Sequence, residues 1–439
     1  MNASARRIAV VGAGWAGLAA AVRATQRGAA VTLYEMAGQS GGRARSVPGS
    51  ALTGPGELDN GQHILIGAYT RTLALMRTVS APVEEGLWRQ PLTLRYPDGR
   101  GLAVAPGPAL WGLLRAVAGC RGWTWGDRAA LLATCTRWAL AGFRCAPALS
   151  VHQLCRKLPP PVRELLIDPL CVAALNTPAD EASAAVFLRV LRDALFSGPG
   201  SADLLLPRQP LGALLPAPAA AWLQAQGATL HMGRRVQSLA RVGQAWHVDG
   251  VSFDAVVLAA SAAETARLVD GLGLEDPAAA AWVGQARALR YEPIITVLLH
   301  WPGLRLPAAM TALVDGQQAP AQFAFDHGAL GATAGRFAFV VSGAQRWVEA
   351  GLQATGEAVL QQALACFARL VPPGAAAPRV VSVLAEKRAT FRCTPLLQRP
   401  PGHIAPGLWA AGDYVAGPYP ATLEGAVRAG EAAAKALTR

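Results

Sequence analysis

Three glycines and one acid near the start of the chain define its first recognisable chemistry. Gly12, Gly14 and Gly17 stand at G-x-G-x-x-G spacing between a short β-branched run, Ile8 to Val11, and a stretch of helical character, Leu18 to Gln26. Gly12 permits a tight strand-to-helix turn, Gly14 lets backbone approach a pyrophosphate, and Gly17 lets the helix pack closely on the sheet. Phosphates then lie at a helix N-terminus, where free N–H groups and the macrodipole favour negative charge. Trp15 and Ala16 occupy the same turn and are expected to line the same site. Gly28 ends the helix, and Ala30 to Tyr34 form a second strand that closes on Glu35, about 20 residues beyond the glycines. A carboxylate there accepts hydrogen bonds from both ribose hydroxyls, which favours an adenosine without a 2′-phosphate. Alone, the glycine pattern is an ordinary turn; strand, helix, strand and acid in register make it a dinucleotide site.

Gly41-Gly42-Arg43 narrows the nucleotide to FAD, because two glycine amides beside a guanidinium fork suit a diphosphate, although a flexible basic loop would look the same. With these motifs the chain resembles the flavin amine oxidase and phytoene desaturase superfamily. Its far end agrees: Leu408 to Ala411 read as a short strand, followed by Gly412-Asp413 and a helix from about Thr422 to Leu437. The resemblance implies that Asp413 binds the ribityl chain, that Thr422 and Leu423 at the helix start face the flavin ring, and that the Val236 backbone meets adenine. A helix N-terminus would set positive potential where reduced flavin holds its negative charge. Asp413 by itself could be no more than a helix cap.

The elements around these motifs follow from composition and pattern. With 439 residues, 52% of them hydrophobic, the chain is long enough for two or three domains and a large core. The net charge of +12 is carried almost wholly by scattered arginines, with lysine only at Lys157, Lys387 and Lys435, and no nucleic-acid motif accompanies it. Such a surplus fits general solubility or attraction to an anionic membrane. Seven cysteines without a C-x-x-C pair point to free thiols in a reducing cytoplasm and to no metal site. No export signal is read, and the longest uncharged stretch, Gln209 to Gly233, is broken by Pro210, Pro216 and Pro218, so no spanning helix is expected. The protein is therefore expected to be cytoplasmic, with peripheral contact to the inner face of the membrane.

The fold expected is α/β: a Rossmann-like FAD-binding domain of the flavin amine oxidase and phytoene desaturase type, joined to a substrate domain of mixed β-sheet and a helical cap. Residues 1–95, 206–268 and 396–439 are assigned to the FAD-binding domain, 96–205 to the cap, and 269–395 to the substrate sheet and its helices. From Asp98 to about Ser197 the chain is mostly helical in character, and Trp111, Trp123, Trp125 and Trp138 there suit either a lipid interface or core packing. Strands are expected at Ala228 to Met232, Val236 to Ala240, Ala245 to Val248 and Ala255 to Ala259. Ile294 to Trp301, Phe337 to Ser342 and Val380 to Ala385 are expected to floor the substrate cavity.

Beyond the superfamily, Asp59-Asn60-Gly61-Gln62-His63, Pro169 to Pro178, Glu386 to Phe391 and Gly412-Asp413-Tyr414 resemble motifs of the squalene-associated flavoproteins, the hydroxysqualene dehydroxylases. The resemblance covers most of the chain and is weakest over residues 265–375. It implies reductive removal of an allylic hydroxyl from hydroxysqualene to give squalene in bacterial squalene and hopanoid synthesis, with reduced FAD as hydride source and an unidentified electron donor. His63 is the first candidate for proton donor, since an ordinary imidazole takes either protonation state near neutral pH, though a histidine bonded within its loop is an equal reading. Gly61 and Gln62 are expected beside the flavin, Asp59 as a residue that orients the loop, and Lys387 as a lysine at the end of the strand Val380 to Ala385. Tyr419 and Arg392 are weaker candidates. A carotenoid-type desaturase would use the same fold in the oxidising direction. An amine oxidase would need an aromatic pair for which only Tyr414 and Tyr419 are available, and a non-catalytic isoprenoid carrier would not need the retained glycines and acids.

Overall fold

A computed structural model describes residues 5–49, 57–105, 109–273 and 276–438. The dinucleotide motif opens a six-stranded sheet in the order Thr229–His231, Ala30–Tyr34, Arg7–Val11, Ala255–Leu258, Leu408–Ala410 and His403–Ala405. The first five strands are parallel and His403–Ala405 is antiparallel. The central strands carry uninterrupted apolar runs because helices cover both faces of a parallel sheet; Ile8, Ala9, Val10 and all of Ala255–Leu258 are buried.

The first helix, Trp15–Gln26, and the C-terminal helix, Leu423–Leu437, pack side by side on this sheet. Their approach depends on Gly430, where a Cβ atom would stand 2.1 Å from the Ala16 carbonyl oxygen. Between Thr229–His231 and Ala255–Leu258 the chain makes an antiparallel meander, Leu239–Val242, Ala245–Val248 and Val251–Phe253. The strand expected from Val236 begins only at Leu239. The Val236 and Gln237 carbonyls accept from the Arg267 guanidinium at 2.9 and 3.1 Å, and the Gln237 and Ser238 N–H groups donate to Asp249, so these polar groups are satisfied outside the ladder.

The second large sheet has five antiparallel strands in the order Met310–Ala312, Phe323–Asp326, Arg336–Val341, Tyr291–His300 and Arg379–Phe391. Arg379–Phe391 runs beyond Ala385, so Lys387 lies inside a strand rather than after one. Ile294 pairs with Glu386 and Glu292 with Thr390, which leaves Lys387, Arg388 and Ala389 opposite Pro293 alone. Proline has no N–H to give the ladder, and a bulge forms there.

The cap contains the helices Ala109–Gly119, Trp125–Leu140, Val151–Cys155, Asp168–Leu175 and Ala184–Phe196. Two capping boxes, Thr124 with Asp127 and Ser150 with Gln153, begin the second and third of these. The region is not helical from Asp98 onward, because Gly101–Ala103 pairs with Thr93–Arg95 in a hairpin across Gly99, whose φ of +80° only glycine adopts freely. The division expected at 95/96 thus runs through a hairpin. The division at 205/206 runs through the strand Leu204–Pro207, which pairs with Leu65–Ile66 and Leu87–Gln90.

Candidate cofactor and active site

The two sheets and the C-terminal helix enclose a cavity of about 920 Å³, within the ordinary range for small-molecule sites. Gly12, Gly14, Trp15, Ala16, Glu35, Gly41, Gly42, Arg43, Gly61, Gln62, His63, Val236, Gly412, Asp413, Thr422 and Leu423 all line it, which brings the two ends of the chain to one site. Gly17 does not line it. A Cβ at Gly17 would stand 1.8 Å from the Gly12 carbonyl oxygen, so this glycine serves the close packing of the turn.

The end of the cavity at the two glycine segments is built from backbone. Gly12 N–H donates to Tyr34 O at 2.7 Å and Gly41 N–H to Ala13 O at 2.9 Å, so the two glycine segments lie together. Gly42 has φ of +62°, and a Cβ there would come within 3.2 Å of the Gly14 Cα. The first helix starts at Gly14 with no side-chain cap and no acid in its first turn, leaving its N–H groups and dipole for an anion. Glu35 accepts from Ala13 N–H at 2.7 Å and Ala37 N–H at 2.8 Å, and a carboxylate has lone pairs left for ribose hydroxyls. These residues fit a dinucleotide cofactor.

Arg43 differs from its expected role as a diphosphate ligand. Its guanidinium pairs with Asp413 and donates to Ala389 O at 2.9 Å, so it joins the N-terminal loop, the C-terminal motif and the second sheet. Burial alone would lower its pKa, but Asp413 outweighs that and holds the charge. At the helix start, Thr422 Oγ1 accepts from Gly425 N–H at 3.0 Å and donates to Tyr419 O at 2.8 Å. Glu424, a residue the motif reading passed over, is wholly buried and accepts from Arg71 and Thr72 N–H, the Thr72 hydroxyl and Arg428 Nε.

The Asp59 to His63 loop is tied down residue by residue. Asp59 Oδ1 accepts from Leu211 N–H at 2.7 Å and from the Ser46 hydroxyl at 3.3 Å. Asp59 lines a smaller neighbouring cavity of about 110 Å³ and not the large one. Asn60 Nδ2 donates to Glu386 at 3.1 Å. His63 Nδ1–H donates to Gly61 O at 2.9 Å, which leaves Nε2 as an acceptor. Burial pushes the imidazole below its ordinary pKa, so at neutral pH His63 rests uncharged instead of holding either protonation state.

The other candidates stand elsewhere. Lys387 is exposed and lines neither cavity, whereas its neighbours Glu386, Arg388, Ala389 and Thr390 line the large one; the bulge opposite Pro293 turns Lys387 away. Tyr419, with φ of +59°, is buried between the Arg189 and Arg428 guanidinium groups at 5.6 and 4.9 Å. Arg392 is paired with Glu181 at 2.9 Å and Glu292 at 2.6 Å. Sequence reasoning missed Tyr291, Ile294 and Thr296, which line the cavity from the strand Tyr291–His300. Ile294 to Trp301 was legible as a strand, but Tyr291 lay before it, and which residues met the cavity was not legible. Burial raises the Tyr291 pKa, so its phenol stays a donor. All seven cysteines are unpaired thiols.

Comparison with known proteins agrees with this geometry. The family model described as flavin containing amine oxidoreductase matches residues 15–438. Hydroxysqualene dehydroxylases of Rhodopseudomonas palustris and Sinorhizobium fredii are 28% and 29% identical, each alignment covering 98% of this chain and 97% of the relative. Among solved structures, an oxidoreductase from Methanosarcina mazei superposes with a TM-score of 0.71 at 18% identity, over 96% of this chain and 98% of the other. Cyclohexylamine oxidase from Brevibacterium oxydans superposes with a TM-score of 0.69 at 15% identity, over 99% of both. The cavity joins a bare helix N-terminus, Glu35 and the C-terminal Gly-Asp motif, and the family match runs over residues 15–438; the protein belongs to the flavin-containing amine oxidoreductase family and is an FAD-dependent oxidoreductase.

Proposed function

We propose that the protein converts hydroxysqualene to squalene by reductive dehydroxylation, in bacterial squalene and hopanoid synthesis. The observation that carries this reading is near-full-length similarity to relatives that bear the name hydroxysqualene dehydroxylase. In the reaction the allylic C–O bond breaks, the oxygen takes a proton and leaves as water, and the carbon receives a hydride. Reduced FAD, when bound, supplies that hydride. The chain's own part is to orient the hydroxyl, exclude water and manage one proton. His63 Nε2 is free to accept from the substrate hydroxyl, and the neutral Tyr291 phenol can donate on the same cavity wall. Asp59 acts behind the loop as a positioning residue, and Lys387 has no place in this scheme.

The test is anaerobic. The purified flavoprotein is photoreduced and mixed with hydroxysqualene, and flavin reoxidation and squalene are followed together. Oxidation of phytoene or an amine, with no squalene formed, would replace the reading with a desaturase or amine oxidase. His63→Ala is expected to retain flavin and lose most turnover; wild-type rates would remove His63 from the mechanism.

We also propose peripheral contact with an anionic membrane, which holds such an apolar substrate. Of the four cap tryptophans, Trp123 and Trp138 are buried, whereas Trp111 and Trp125 are 65% and 76% exposed and Leu140 is 84% exposed. Arg128 lies 4.5 Å over the Trp125 ring. Arg115, Arg121, Arg137 and Arg144 are exposed on the same stretch, and the acid Asp127 is buried. Exposed tryptophan with arginine suits a lipid headgroup region. No helix among the described residues is long and apolar enough to cross a membrane. Flotation with anionic liposomes should carry the wild type and not Trp111→Ser/Trp125→Ser; a wild type left in the aqueous fraction defeats the proposal.

A further inference from the structure

Gln62 stands on the wall between the large cavity and the small one, and it is held from three directions. Its backbone N–H donates to Thr296 Oγ1 at 3.3 Å, its Nε2 donates to His63 O at 3.2 Å, and its Oε1 meets His327 Nε2 at 2.9 Å. A backbone carbonyl can only accept, so the NH₂ end of the amide must face His63. Oε1 then faces His327, and that imidazole must carry its proton on Nε2. Burial, reinforced by Arg336, pushes the His327 pKa down to about 4, so Nδ1 is bare at neutral pH and one tautomer remains. The Gln62 amide has two N–H groups. One is spent on His63 O, and no described residue engages the other.

We propose that Gln62 presents this second N–H to the flavin, and that His327 is the positioning residue that fixes the amide's orientation. His327 lies in the loop after Phe323–Asp326, within the region of weakest motif resemblance, and lines only the small cavity. It therefore acts on the cofactor through Gln62. The inference rests on FAD occupying the large cavity and is independent of the substrate.

The test uses the holoenzyme and reads the flavin, through its Kd, visible absorption maxima and midpoint potential. His327→Phe and Gln62→Leu should each weaken FAD binding about fivefold, the worth of one neutral hydrogen bond. Both should move the absorption bands and potential in the same direction, and the double variant should match Gln62→Leu alone. His327→Gln, whose amide N–H can reach the same oxygen, should restore wild-type flavin properties. A His327→Phe protein with unchanged spectrum, potential and Kd overturns the proposal, even if its Tm falls. Additive effects in the double variant also overturn it. Where His327→Phe does not fold, Gln62→Leu decides, and wild-type flavin properties in that variant are the defeating result.

Discussion

At the residue scale, one carboxylate is buried where the C-terminal helix meets the helix Thr70–Thr78. Glu424 has no exposed surface and satisfies two backbone N–H groups at the start of the helix Thr70–Thr78, together with a hydroxyl and a guanidinium. Glu424→Ala leaves the buried Thr72 N–H and hydroxyl without their acceptor and is expected to cost about 3 kcal/mol in urea denaturation. Glu424→Gln keeps one acceptor oxygen and should cost less. A loss equal to that of an exposed carboxylate, under about 0.5 kcal/mol, would contradict this account. The sequence hid Glu424 because nothing in its neighbours indicates a partner at Thr72. The glycines were legible for the opposite reason: their chemistry lies in backbone they expose, which local spacing already specifies.

At the element scale, the cofactor cavity depends on two helix N-termini held close together. Gly430→Val would drive side-chain atoms into the Ala16 carbonyl, so the two helices must separate. The expected result is a stability loss above about 2 kcal/mol, with FAD lost on gel filtration because both helix starts line its site. Gly284, exposed in the helix Pro277–Arg287 with open space around it, is the control. Gly284→Ala should stabilise by about 0.5–1 kcal/mol and leave FAD bound. Helix propensity alone favours both substitutions, so a Gly430→Val protein as stable as the wild type would mean that close packing at Ala16 does not govern. The first strand-helix-strand unit and the C-terminal helix were readable from period and punctuation. The bulge opposite Pro293 was not, because it arises from pairing with a strand distant in sequence, and that pairing turned Lys387 out of the site.

At the scale of the whole molecule, burial of neutral imidazoles makes stability depend on pH. His327, with a folded pKa near 4 and an unfolded one near 6.5, is neutral in both states above the unfolded value. Between the two values the unfolded chain binds more protons, so stability falls as pH drops through that window, by at most about 3 kcal/mol. His63 adds in the same direction. Chemical denaturation at pH 7 and pH 4.5 should show the loss, reduced in His327→Gln; an identical pH dependence in that variant would remove His327 as its source. The large cavity is lined by segments from across the chain, so FAD should raise Tm on binding there, with about 2.7 kcal/mol gained at a hundredfold excess over its Kd. Equal Tm with and without added FAD would mean that the cavity does not couple the segments.

The sequence by itself determined the glycine loop and the acid that line the large cavity, because they are local: a few glycines, one helix start and one carboxylate within a single strand-helix-strand unit. It also marked the C-terminal Gly-Asp motif and the loop at Asp59 to His63. Only the tertiary structure decided that Arg43, expected at a diphosphate, pairs with Asp413, that His63 is neutral, that Asp59 and Lys387 lie off the cavity, and that Thr296 and His327 hold Gln62. Each of those outcomes depends on contacts between residues far apart in the chain, and on the burial those contacts create, which no local spacing encodes.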